Sequence, residues 1–110
     1  MEIRFENDTQ KEFYESEKLL RREYGELARA IARRLVQIKA YESVRQLLNT
    51  GLGKPHMLTG EYDKCIAISV SANYRLIIKP EYPEYTDFAK LDLSIVTVVT
   101  IMEVTDYHGN

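Results

Sequence analysis

Residues 64–79 read "KCIAISVSANYRLIIK", and the reading of this stretch decides the fold. Ile66, Ile68 and Val70 recur at every second position, the spacing that lines one face of a strand. The small polar residues around Ser71 to Asn73 interrupt the run before a second apolar segment, so the stretch predicts a β-hairpin. Upstream, "HMLTG" (56–60) is expected to add a short strand. Downstream, the β-branched run "SIVTVVTIMEVT" (94–105) predicts a long final strand from about Ser94 to Val104. The intervening "PEYPEYTDFAKLDL" (80–93) carries two prolines and the acids Glu81, Glu84, Asp87 and Asp92, and reads as a solvated excursion between strands.

Before residue 56 the period lengthens. In "ELARAIARRLVQIKAYES" (26–43), Leu27, Ile31, Leu35 and Ile38 recur at three- and four-residue steps, as one buried helical stripe requires. Arg22, Arg29 and Arg33 fall together on another side, with Arg34 near them. Thr9 with Glu12 fits a capping box opening a helix to about Arg22, which Gly25 ends. "SVRQLL" (43–48) predicts a short helical piece and "NTGLGKP" (49–55) a loop; "EIRF" (2–5) alternates as a short strand. Helices grouped before a meander predict an α+β fold. An N-terminal strand is followed by two to three helices packed on one face of an antiparallel sheet, whose other face stays open.

The chain has 110 residues, enough for one modest core, and a single domain over 1–110 is expected. Its lone cysteine, Cys65, cannot close an internal disulfide, and no Cys/His spacing suggests zinc. No run approaches the length of a membrane helix and "MEIRFENDTQ" lacks an export pattern, so a cytoplasmic chain without membrane association is expected. The net charge of −2 conceals an uneven distribution. Of 15 basic residues, 12 lie between Lys18 and Lys79, whereas 12 of 17 acidic residues lie outside that span. Acidic flanks around a basic middle point to an anionic partner for the middle, while the overall balance weighs against strong polyanion binding.

Several side chains are candidates for chemistry. Arg75, within a strand, offers a planar fork suited to phosphate. Arg22, Arg29, Arg33, Lys54, His56 and Lys64 are candidate nucleic-acid contacts. Each of these also has a plainer reading as solvated surface or, for His56, as a hydrogen-bonded structural residue. The final strand delivers Asp106, Tyr107 and His108. Strand alternation points Asp106 and His108 one way and Tyr107 the other, and this end is expected to lie beside Arg75.

On "HMLTGEYDKCIAISVSANYRLIIKP" (56–80) and "EVTDYH" (103–108), the chain resembles the RelE/ParE superfamily of bacterial toxins, in particular HigB-like plasmid-maintenance killer proteins. The resemblance covers most of the chain, its helical half as a pattern alone. It implies a RelE-like microbial RNase fold and a type II toxin that cleaves mRNA on the translating ribosome without metal or cofactor. Its partners would be the ribosome, mRNA and a small helix-turn-helix antitoxin. By position, Arg75, Asp106, Tyr107 and His108 match the family's catalytic residues, and His56 matches the histidine opening the hairpin motif. Thr59 stands where these toxins often carry lysine, Cys65-Ile66 replaces an aromatic, and the acidic insert is longer. A ParE-like topoisomerase inhibitor and an inactive member that only binds its partner are the alternatives.

Overall fold

In a computed structural model, which describes residues 1–50 and 52–106, five strands and four helices form an α+β fold. The strands are β1 (Glu2–Phe5), β2 (His56–Met57), β3 (Ile66–Ser69), β4 (Tyr74–Pro80) and β5 (Val98–Asp106), and the helices α1 (Asp8–Glu15), α2 (Glu17–Tyr24), α3 (Leu27–Ala40) and α4 (Val44–Thr50). The expected class is observed, with local differences. Asn7, not Thr9, caps α1: its side chain accepts from the Gln10 N–H at 2.8 Å. The helix expected to run on to Arg22 breaks at Ser16, whose extended backbone frees its hydroxyl to cap α2 by accepting from the Leu19 N–H.

The sheet order is β1-β5-β4-β3-β2. The hairpin forms as read, with Ile66 opposite Ile78 and Ser69 opposite Arg75. The sheet is mixed, however, because β1 runs parallel to β5, Glu2 lying opposite Val98 and Phe5 opposite Ile101. β1 precedes the helices, which carry the chain from this edge of the sheet to β2 at the opposite edge; β5 then comes last and fills the place between β4 and β1, running in β1's direction. The last strand begins at Val98, not Ser94: a single 3₁₀ turn over Leu93–Ile95, capped by the Asp92 side chain, precedes it.

The core lies between helices and sheet. Leu20, Ile31, Leu35, Ile38, Val44 and Leu47 meet Ile66, Ile68, Leu76, Ile78, Val99 and Ile101, all buried. The predicted α3 stripe faces this core, except that Leu27 is half-buried at its start. The opposite sheet face, expected to be open, is partly covered. Cys65, Ala67 and Ile77 form a small second cluster there with Leu58, Tyr62 and Met102. The stretch 81–95 also folds back: Thr100 Oγ1 donates to Glu81 at 2.9 Å, and Lys64 lies over the Phe88 ring. No helix among the described residues is long and apolar enough to cross a membrane.

An irregularity in β5 decides which side chains share a face. Ile78 pairs with Ile101, but Ile77 pairs with Glu103, so Met102 is an extra residue in the ladder. Such a bulge reverses the alternation beyond it. Simple alternation from Val99 and Ile101 would send Glu103 and Thr105 into the core; the bulge sends them to the second face, and Val104 inward instead.

Candidate functional site

The end of the sheet at the β3–β4 turn collects most of the candidates. Arg75 is half-buried, and its Nη1 donates to the Ser71 carbonyl at 3.1 Å and to the Tyr74 carbonyl at 3.2 Å. These bonds hold the guanidinium against its own turn. Opposite it stand Ser69 on β3 and Thr105 on β5, so this row of the second face is polar. The neighbouring row runs His56, Ala67, Ile77 and Glu103 across four strands. With strands about 4.8 Å apart, His56 and Glu103 are separated by about 14 Å, too far for direct proton exchange. His56 is exposed, with Nδ1 3.0 Å from the Lys54 carbonyl.

Asp106 reaches the same end of the sheet but lies opposite Tyr74, whereas Thr105 lies opposite Arg75. Asp106 was expected beside Arg75. The bulge at Met102 alters this: it places Thr105 on the arginine's face and Asp106 on the side of Tyr74 and the helices. Tyr107 and His108 lie outside the described residues.

The two candidate lysines part company. Lys54 follows Gly53, whose carbonyl accepts from the Ser69 N–H at 2.7 Å, so it belongs to the Arg75 end. Lys64 precedes β3 at the opposite end, roughly 16 Å along the strand from Ser69, because β3 runs away from it toward the turn. Both have positive φ, 50° and 67°, uncommon for residues with a Cβ.

On the helical side, Arg22, Arg29 and Arg33 are exposed, as the pattern implied. The corner between α2 and α3 is a hollow lined by Arg21, Gly25, Glu26 and Arg29, and Lys18 and Arg22 line a neighbouring one. Lys18 and Arg21 were absent from the sequence-based set although "EKLLRREY" displays them; Arg21 is partly neutralised by Glu17 at 2.7 Å. Arg34 turns inward instead, to the Ser69 carbonyl at 2.8 Å.

Sequence reasoning also missed Glu103 and Tyr62. A hydrogen bond to Glu103, followed by burial, pushes the Tyr62 phenol well above the usual tyrosine range. Even spacing of Glu103 and Thr105 along the strand was the available signal, but only the bulge puts them beside Arg75's row. Among the described residues, no three His, Cys, Asp or Glu side chains are grouped to hold a metal ion.

This arrangement can bind an anion. A braced guanidinium, with Ser69 and Thr105 opposite it on the neighbouring strands, sits at a sheet end near the loop that carries Lys54. The fold is that of YoeB/ParE toxins. It matches a YoeB/ParE toxin from Agrobacterium tumefaciens with a TM-score of 0.57 at 16% identity, covering 99% of this chain and 100% of that one. It matches the YoeB-YefM complex from Staphylococcus aureus with a TM-score of 0.56, also at 16% identity, covering 99% and 98%. At such identity the likeness is one of fold. No protein-family model matches the chain, and no curated protein does.

Proposed function

We propose that this chain is the toxin of a type II toxin–antitoxin pair, HigB-like in its site, and that it cleaves mRNA on the ribosome without a metal ion. One observation carries the reading: Arg75 is braced on the Ser71 and Tyr74 carbonyls at the sheet end to which β5 brings Asp106. RNA cleavage of this kind removes the 2′-OH proton, lets the 2′-oxygen displace the 5′-oxygen at phosphorus, and protonates that leaving oxygen. The pentacovalent transition state carries extra negative charge on the phosphate oxygens, which a fixed guanidinium stabilises without reorganising. On the resemblance, His108 transfers a proton, Tyr107 stacks on a base or donates to phosphate, and Asp106 supports them. The exposed Arg22, Arg29 and Arg33, with Lys54, are the surface that meets ribosomal RNA. A helix-turn-helix antitoxin is the protein partner.

A second reading is a ParE-like inhibitor that poisons a topoisomerase and needs no acid–base residues. The placement of Asp106 away from Arg75's row favours it. Expressing the chain without a partner and mapping RNA ends separates the two. Growth arrest with cuts inside translated messages supports the nuclease; arrest with intact messages and stalled replication supports the inhibitor. His108→Gln is expected to slow cleavage by roughly 10²- to 10⁴-fold, and Arg75→Ala by about 10²- to 10³-fold. Unimpeded growth with well-folded protein present would remove both readings.

A further inference from the structure

Arg33 and Arg34 are neighbours in α3, yet they do different things. Arg33 is exposed; Arg34 is half-buried, its Nε donating to the Ser69 carbonyl at 2.8 Å and its Nη1 to Gln37 Oε1 at 2.6 Å. Ser69 is the last residue of β3, and its N–H donates to the Gly53 carbonyl at 2.7 Å. The peptide groups on either side of Ser69 Cα are therefore both tied, one to α3 and one to the 52–55 loop. The tie continues into the turn. Ser69 Oγ donates to the Ser71 carbonyl at 2.9 Å, and that carbonyl is the one that accepts from Arg75 Nη1.

The β3–β4 turn also carries bonds of its own, from the Val70 N–H to the Tyr74 carbonyl at 3.0 Å and from the Asn73 N–H to Ser71 Oγ at 3.3 Å, but it packs little. Ser71, Ala72 and Asn73 are small, and Ala72 and Asn73 are exposed. The bond between the Ser71 N–H and the Tyr74 carbonyl is long at 3.4 Å. A carbonyl oxygen has two lone pairs, so Ser71 can accept from Ser69 and Arg75 together. If Ser69 moved, the seat of Arg75 would move with it. A guanidinium suits the anchoring position because its rigid fork reaches two acceptors at fixed separation, which an ammonium does not.

We propose that Arg34 is a positioning residue for Arg75: from α3 it fixes Ser69, and through Ser69 the Ser71 carbonyl on which the Arg75 guanidinium rests. The inference rests on reading Arg75 as the phosphate-binding group. It separates Arg34 from the exposed arginines beside it, which would touch RNA directly.

The test uses the full chain carrying Arg34→Gln, Arg34→Lys or Ser69→Ala. Ser69→Ala removes the hydroxyl and leaves every backbone bond in place, so it covers the case in which Arg34→Gln fails to fold. In arginine-labelled protein, the Arg75 Nε–H resonance, assigned with Arg75→Lys, should shift or broaden in Arg34→Gln and in Ser69→Ala, and less in Arg34→Lys. An Arg75 resonance unchanged in both Arg34→Gln and Ser69→Ala overturns the proposal. In ribosome-dependent cleavage, kcat should fall roughly 10- to 100-fold with KM near the parent value, as slight misplacement of a catalytic group does. Lowered stability with kcat untouched would make Arg34 merely structural and also overturn it. If the parent chain cuts no message, the nuclease reading falls, and the Arg75 resonance alone decides the positioning role.

Discussion

Replacing Gly53 with alanine probes the junction on which the Arg75 end depends, and the structure gives the size of the effect. Gly53 has φ +70°, and a Cβ built there would lie 2.5 Å from Ile68 Cγ2, 2.9 Å from the Ser69 carbonyl oxygen and 3.2 Å from Arg34 Nε. The left-handed backbone costs an alanine about 1–2 kcal/mol. Relieving the overlaps, two of which involve a buried isoleucine and a bonded backbone oxygen, costs about 1–3 kcal/mol more. Stiffening of the unfolded chain returns about 0.4–1 kcal/mol, leaving a net loss of about 2–4 kcal/mol. Gly60 is the control: its φ is +73°, but nothing lies within 4 Å of its would-be Cβ. Gly60→Ala should therefore lose only about 1 kcal/mol, the backbone part. Urea unfolding followed by circular dichroism measures both variants, with an unchanged m-value required for the comparison. In a chain of this size, Gly53→Ala should melt about 10 °C below the parent. Losses for the two variants that agree within about 0.5 kcal/mol would refute the close approach of Gly53 to β3 and α3.

Changing Arg22, Arg29 and Arg33 together to glutamine should weaken co-sedimentation with ribosomes and lessen its salt dependence. Thermal stability should barely move, since exposed charges contribute little to folding; unchanged co-sedimentation would return these arginines to solvated surface. Tyr14, through burial, and Tyr62, chiefly through its bond with Glu103, hold their protons above the ordinary tyrosine value. The unfolded chain releases those protons near pH 10 while the folded chain keeps them, so stability should be level below about pH 9 and fall as pH rises through 10 and beyond. Tyr62→Phe should flatten that fall, and an identical alkaline slope would contradict the hydrogen bond. Ile101→Ala, in the fully buried centre of β5, should cost about 2–5 kcal/mol in urea unfolding. Val36→Ala, at 68% exposure, should stay within about 0.5 kcal/mol of the parent; equal effects would place the core elsewhere.

What the sequence revealed was whatever repeats locally. Ile66, Ile68 and Val70 display the first strand of the hairpin, and the steps from Ile31 to Leu35 to Ile38 display α3; all six are buried. Competition between equivalent local signals was less legible: Asn7 and Thr9 can both cap a helix, and backbone geometry at Asn7 decides for it. Pairing of β1 with β5 depends on the path of the helices, which no local pattern encodes. The site suffered most from a single residue. Met102 looks like any other strand residue, yet as a bulge it changes the face of every position after it, so Asp106 does not share Arg75's row. Arg34 looks like a fourth member of an exposed stripe, and only its bond to Ser69 shows otherwise.

The place of β5 in the sheet bears on how the chain is made. Among the described residues, β1 has β5 as its sole sheet neighbour, and β4 needs β5 to cover its outer edge. During synthesis, β1 emerges first and must wait, unpaired, until residues 98–101 leave the ribosome. Until then the nascent chain lacks Val99 and Ile101 from its core and exposes the apolar margin of β4. Closing so long a loop is slow relative to forming the helices or the hairpin. Vectorial synthesis should thus yield a helical, hairpin-bearing intermediate that snaps into the native sheet only when its final strand is free. Anything that binds a newly made chain before that moment meets a different surface from the one on the finished protein.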